Sequence, residues 1–422
     1  MTVRADQAPP SPVRASRWRA LRPPYQVWFP LLVYALTRAA DAVFIVLAGR
    51  SQILLTWREP SRRLRYPSPA DPGYGVVASN WDGWWYRYIA EFGYPEQLPI
   101  DALGQVPTNP WAFFPLYPMS VRGLMNLTGL PFTTVGPALN LVLGALAILL
   151  LHRLLSETLN RFAASVTTLL TCTYMAAPAM QLAYTESLAL LLICLALWLL
   201  RHRHYAGFAL AALALALTRP IALALAPVVV AHWLARRRDP DPASFPTSER
   251  VRVGLLLPWC VAVTGLWPAI AAVVTGRPTA YLDTLDAWST YRYHTPVLGW
   301  IEREWRDRGW FGALLCVALP VLLVVVVRRS AARAWGPEVR TWAWAYPAYL
   351  FAVTAPSPSI VRYLLLAFPL MWPVPDPEPS RLARRVQWAV VAVLAVGGLL
   401  LQWQWISQYV VISNSPHRGP FP

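Results

Sequence analysis

The chain has 422 residues, 56% of them hydrophobic and 14% charged, with a mean hydropathy of +0.39, which excludes a water-soluble domain of this length. Its net charge of +16 comes from arginine alone. The arginines fall in short clusters between apolar runs, so they read as topology signals and headgroup contacts, not as one basic face for nucleic acid.

The chain opens on an arginine- and proline-rich stretch, residues 1–25, read as a basic cytoplasmic tail. No small-residue cleavage site closes a short apolar region, so the first apolar run is an uncleaved span and not a signal peptide. Eleven spans are predicted, at roughly 26–48, 133–154, 162–182, 186–200, 205–217, 220–235, 252–274, 310–327, 340–355, 360–373 and 387–406. Without water in the hydrocarbon core the spans are helices, so the fold class is an all-α polytopic membrane protein with residues 26–406 as one transmembrane domain. The twenty-two tryptophans suit two broad membrane interfaces.

Residues 113–129, "FFPLYPMSVRGLMNLTG", are apolar but broken by two prolines and Arg122. Arginine placement predicts that they do not cross. In that case "RHRHY" (201–205), "ARRRDP" (235–240), "RRSAAR" (328–333) and "SRLARR" (380–385) all join the basic tail in the cytoplasm. Residues 49–131 then form one long extracytoplasmic loop with interfacial and re-entrant segments, and 407–422 an extracytoplasmic tail. "AYTES" (183–187), "LTRPI" (217–221), the loop 275–309 and "PSPSIVRY" (356–363) share that outer side.

The long loop carries "SNWDGWWYRYIAEFGY" (79–94). On a helix, Trp81, Trp84, Trp85 and Tyr88 fall on one side, which predicts an interfacial helix lying flat with its aromatic face down. Asp82 is the candidate base; the plain alternative is that Asp82 or Asn80 caps the helix. Glu91 lies four residues after Arg87, the spacing of a surface pair. "NPWAFFPLYP" (109–118) is a stiff, non-helical segment, either a simple membrane entry or a loop pressed against a lipid chain, with Asn109 as a candidate substrate contact. Arg38 and Asp41, three apart within the first span, are placed to pair. Glu186, Arg219 and Arg362 sit at the outer ends of three later spans, on the side of Asp82. An ionisable residue at such a lip is a functional candidate; snorkelling is the plain alternative. Arg219, Arg362 and, more weakly, Arg38 are candidates to hold a phosphate. Trp81, Trp84, Tyr363 and Glu186 are further candidate substrate contacts.

Cys172, Cys194, Cys260 and Cys316 lie in or beside apolar runs and read as buried thiols. The histidines show no paired spacing, and no HExxH, phosphate loop or DxD pair occurs. No metal site is predicted. Fixed arginines can do the electrostatic work, so the chemistry requires no metal, although a divalent ion is compatible with it.

In order along the chain, "WDGWWYRYIAEFGY", "FFPLYP", "YTES", "LTRP" and "VRYLLLAFPL" together resemble the PIG-V mannosyltransferases and their bacterial relatives, of the GT-C class of membrane glycosyltransferases. The resemblance spans about Arg38 to Pro369. Eukaryotic relatives usually carry His–Phe where this chain has Trp85–Tyr86. The resemblance implies a multi-pass cell-membrane transferase with an extracytoplasmic active site, a polyprenyl-phosphate sugar donor, typically mannose, and Asp82 as base. The acceptor, whether glycolipid, glycan or protein, is left open. Implied partners are the lipid-linked donor, the acceptor and membrane lipids, with no nucleic acid and no cofactor. The rival readings are a transporter or flippase of a lipid-linked intermediate, and a structural membrane subunit that docks a partner.

Overall fold

A computed structural model describes residues 24–62, 64–239, 244–288, 297–354, 356–373 and 380–414. Most of the predicted basic tail (1–23) and the end of the predicted outer tail (415–422) lie outside the described residues.

The described chain is helical. Its only β pairing is two isolated antiparallel bridges, Leu55–Ser68 and Arg58–Arg65. The helices are α1 (Tyr25–Gly49), α2 (Tyr74–Val77), α3 (Asp82–Phe92), α4 (Leu116–Thr128), α5 (Phe132–Ser156), α6 (Arg161–Thr173), α7 (Glu186–Arg201), α8 (Tyr205–Ala216), α9 (Ala226–Arg237), α10 (Thr247–Thr264), α11 (Leu266–Thr275), α12 (Ala280–Trp288), α13 (Leu298–Arg308), α14 (Trp310–Arg328), α15 (Gly336–Val353), α16 (Ile360–Tyr363) and α17 (Arg381–Trp405).

Among the described residues, five helical stretches are long and apolar enough to cross a membrane: α1, α5, α10 with α11, α14, and α17 with the turn that follows it. The other predicted spans are shorter or broken. The 162–182 run makes α6, 13 residues long, and then a 3-10 turn at Ala177–Met180. The 360–373 run is no continuous helix: α16 gives way to 3-10 turns at Leu364–Leu366 and Phe368–Met371. Pro369 explains part of this, since it cannot donate a backbone hydrogen bond. At 13 residues α4 is about 20 Å long, too short alone for a core of about 30 Å. Gly129 ends it in the left-handed conformation, at φ 71°.

The core is built around α7, which packs against α5 on one side and α8 on another, with α1 lying across α5. Small residues set the closest approaches. A Cβ at Gly144 of α5 would collide with the Tyr34 ring of α1, and one at Gly398 of α17 would collide with the Thr173 carbonyl of α6. The four cysteines are free and buried, as expected.

Buried charges gather at both ends of α7. At its C-terminal end Arg201 reaches Glu157 and Glu338 and donates to the Leu154 and Trp335 carbonyls. His232 pairs with the same Glu338 at 2.7 Å, and Arg236 with Glu249 at 3.4 Å. The loop starting at 201 and the segments next to 235–240 and 328–333, all assigned to one side from their arginines, therefore meet at one end of the bundle.

Candidate functional site

At the N-terminal end of α7 four ionisable side chains from separate elements converge. Asp82 is the first residue of α3, Glu186 the first of α7, Arg219 follows α8, and Arg362 lies in α16. Arg362 Nη2 donates to Asp82 Oδ2 at 2.5 Å, and its Nη1 to Glu186 Oε1 at 3.2 Å. Arg219 Nη2 donates to the same Glu186 oxygen at 2.9 Å. Burial separates the two acids: the Glu186 side chain is 0% exposed and that of Asp82 25%. Tyr363 lies against both cations, its ring centroid 4.7 Å from the Arg219 guanidinium carbon and 5.2 Å from that of Arg362.

The local backbone shows how Asp82 is presented. The residue before it, Trp81, holds φ 59° and ψ −112°, a region that a bulky side chain rarely visits. The neighbours fix it there. Trp81 Nε1 donates to the Val410 carbonyl, and Asn80 Nδ2 to that carbonyl and to Gln52. Neither Asp82 nor Asn80 makes a side-chain cap; the helix starts after Trp81 without one. Asp82 instead points its carboxylate at Arg362, and the helix N-terminus favours its negative charge.

The predicted flat interfacial helix is corrected here. Trp84, Trp85, Tyr86 and Ile89 of α3 are buried in protein. Trp85 stacks on Phe113 at 5.5 Å and meets Trp288 edge-on, and Tyr86 meets Phe113 and Tyr117. The aromatic face therefore seats the helix on "FFPLYP" and not on lipid, because the rings gain more from edge-to-face partners than from a headgroup layer. Arg87 and Glu91 do pair, at 2.7 Å, and Tyr66 donates to the same Glu91.

The other candidates have other surroundings. Asn109 is fully buried: its Oδ1 caps the 3-10 turn at Trp111 N, and its Nδ2 donates to Pro107 O and Thr284. Trp84 is 7% exposed. Neither offers a free face to a substrate in this structure, whereas Trp81 and Tyr363 stay partly exposed. Arg38 makes the expected pair with Asp41, at 2.8 Å, but also donates to the Ala177 and Cys172 carbonyls. It is not joined to the Asp82–Arg362–Glu186–Arg219 cluster.

These bonds of Arg38 belong to a feature that the apolar pattern hid. Between α6 and α7 the chain runs through irregular backbone, 174–185, buried in protein. Irregular backbone at such depth persists only if its polar groups are satisfied. Gln402 Nε2 donates to the Cys172 and Tyr174 carbonyls, Asn140 to those of Leu182 and Tyr184, and Ser187 to that of Met180. This segment forms the floor of the site, carries Tyr184 and Thr185 and leads directly into Glu186. Tyr184 was missed as a site residue, although "AYTES" contains it. The Arg362 guanidinium lies 4.9 Å from its ring centroid, and burial followed by the Asp82 charge pushes its phenol well up, so it stays protonated. Lone amides in apolar runs, Asn140 and Gln402, were the available signal.

Among the described residues no group of three or more His, Cys, Asp or Glu side chains gathers to hold a metal ion.

No protein-family model and no curated protein matches the chain. Solved structures of the Archaeoglobus fulgidus oligosaccharyltransferase do align with it. Its apo form has a TM-score of 0.49 and 13% identity over 92% of this chain and 56% of that one. Its complex with an inhibitory peptide and a dolichol-phosphate has a TM-score of 0.48 and 12% identity, covering 93% and 57%. The form tethered with an acceptor peptide has a TM-score of 0.48 and 14% identity, covering 93% and 56%. The chain thus spans little more than half the length of these structures, and at such identity and overlap we rest no functional assignment on the likeness.

Proposed function

We propose that the protein is a multi-pass membrane glycosyltransferase of GT-C type that moves a sugar, mannose as the motif resemblance suggests, from a polyprenyl-phosphate donor to an extracytoplasmic acceptor. One observation carries this reading: Asp82, Glu186, Arg219 and Arg362, far apart in sequence, meet at one end of the bundle, and the acid is the member most open to solvent.

The chemistry follows from these groups. Asp82 accepts the proton of the acceptor hydroxyl, a general-base role worth roughly 10²–10⁴ in rate. The acceptor oxygen attacks the anomeric carbon as the bond from that carbon to the phosphate oxygen breaks, which inverts the configuration. Negative charge builds on the departing phosphate, where Arg219 and Arg362 stabilise it without reorganising. Trp81 and Tyr363 offer aromatic faces to a sugar.

The Arg38–Asp41 pair, buried within a span, is a feature that suits a transporter. Its bonds to the Cys172 and Ala177 carbonyls give it a structural task instead. The test is transfer by the purified chain in liposomes, with radiolabelled polyprenyl-phosphate mannose and membrane lipid extract as acceptor. Label should appear in a new product with wild type and be abolished in Asp82→Asn. Transfer at the wild-type rate by that variant overturns the base assignment; donor translocation without transfer supports the transporter. Mass spectrometry of lipid-linked and envelope glycans from cells with and without the protein then identifies the acceptor.

A further inference from the structure

Arg362 is engaged twice, through one nitrogen to the base and through another to Glu186. The two carboxylates and two guanidinium groups of the cluster sum to zero charge. A phosphodiester donor brings one negative charge, so it must compete for a cation that the protein already uses. The two pairs of Arg362 differ in what replaces them when they open. Asp82 is a quarter exposed and can be rehydrated, whereas Glu186 has no exposed surface, and its Oε2 has no hydrogen-bond partner among the described residues. Separating Glu186 from its arginines would strand a buried charge, a far larger penalty than opening a solvent-accessible pair. The pair that yields is therefore Arg362–Asp82.

We propose that Glu186 is a positioning residue that holds Arg219 and Arg362 in place while Arg362 exchanges Asp82 for the donor phosphate, so that Asp82 is masked until the donor is bound. This deepens the glycosyltransferase reading and rests on it. In this structure the Asp82 oxygen nearest Arg362 is occupied by an N–H and does not accept a hydroxyl proton. Phosphate binding turns that N–H away, and the freed carboxylate oxygen then takes the acceptor proton. Two consequences follow. Donor binds before acceptor is activated, which fixes the order of addition. Removing the Asp82 charge should also strengthen donor binding, because the competitor for Arg362 is gone.

The experiment uses the full chain purified in detergent and farnesyl phosphate as a soluble lipid-phosphate probe, with binding followed by titration calorimetry. Asp82→Asn, nearly equal in volume, should bind roughly tenfold more tightly than wild type, the change expected when an ion pair of about 1.4 kcal/mol no longer competes. Equal or weaker binding by Asp82→Asn overturns the exchange but leaves the base assignment standing if the variant is inactive. Absence of binding to either protein removes the donor reading and the exchange together. Glu186→Gln supplies a second readout. It should lower kcat roughly tenfold or more without raising the donor KM, because Arg219 and Arg362 lose the anion that holds them in place against the departing phosphate while the site gains positive charge. A raised KM with unchanged kcat would make Glu186 a simple support of phosphate binding and overturn its positioning role.

Discussion

Glu186 opens α7 and Arg201 closes it, so one helix of 16 residues separates two buried charge clusters by about 22 Å. One cluster holds the candidate base and the other ties α5, α7 and the start of α15 together. This separation lets stability and chemistry be tested apart.

Arg201→Ala should destabilise without altering turnover. It leaves Glu338 with His232 as its remaining close partner and strands the Leu154 carbonyl. Breaking a largely buried pair of this kind costs about 3–5 kcal/mol. The check is thermal unfolding in detergent, with donor turnover measured per folded molecule. A normal midpoint would show the clamp to be idle.

Asn140→Leu removes the donor to the Leu182 and Tyr184 carbonyls. The Leu182 carbonyl keeps the Tyr184 N–H at 2.7 Å, so only the Tyr184 carbonyl is stranded, at a cost of about 1–3 kcal/mol. Unlike Arg201→Ala, it should also reduce turnover, because the loosened floor leads into Glu186. Stability is read from the unfolding midpoint and activity from transfer below it; a destabilised variant of full activity would mean that the floor does not position the site.

The two ends of the bundle were legible for one physical reason. Charge at a span end cannot be hidden by hydropathy, so Glu186, Arg219 and Arg362 stood out, as did Asp82 among the aromatics of the long loop, and the arginine loops sorted to one side. What lay between them was not legible. Apolar composition is the same for a straight span and for a buried irregular segment, so residues 174–182 read as the end of one span. Only the fold reveals that Arg38, Asn140 and Gln402 satisfy those carbonyls, which is why Arg38 looked like a phosphate ligand. The aromatic period of α3 placed Trp84 and Trp85 on its buried face but also Trp81 and Tyr88, which stay partly exposed, and it left out Tyr86 and Ile89; nor does periodicity tell protein from lipid.

Arg362→Lys separates charge from shape. A guanidinium can serve Asp82 and Glu186 at once through different nitrogens, whereas an ammonium is a compact point charge on a flexible stem. Folding should survive, since Glu186 keeps Arg219 at 2.9 Å. The kcat should fall roughly 10²–10³-fold, as for other lost donors to a developing oxyanion. Single-turnover rates of the lysine variant against wild type are the check, and a rate within threefold would remove the two-sided role of Arg362.

Asp82→Glu keeps the charge and moves it. The strained Trp81 backbone and its bond to Val410 O fix where α3 begins, so the carboxylate position depends on side-chain length alone. One added methylene displaces the base by roughly 1 Å, a misplacement that can cost about 10²-fold in rate. The longer acid can still reach Arg362, so the fold and donor binding should be close to wild type. Transfer rate at saturating donor is the measurement: a large fall in kcat with little change in donor KM fits a base placed by the backbone. If the glutamate variant transferred sugar as fast as the native chain, the role of Asp82 would be electrostatic and would not depend on its position against the acceptor hydroxyl.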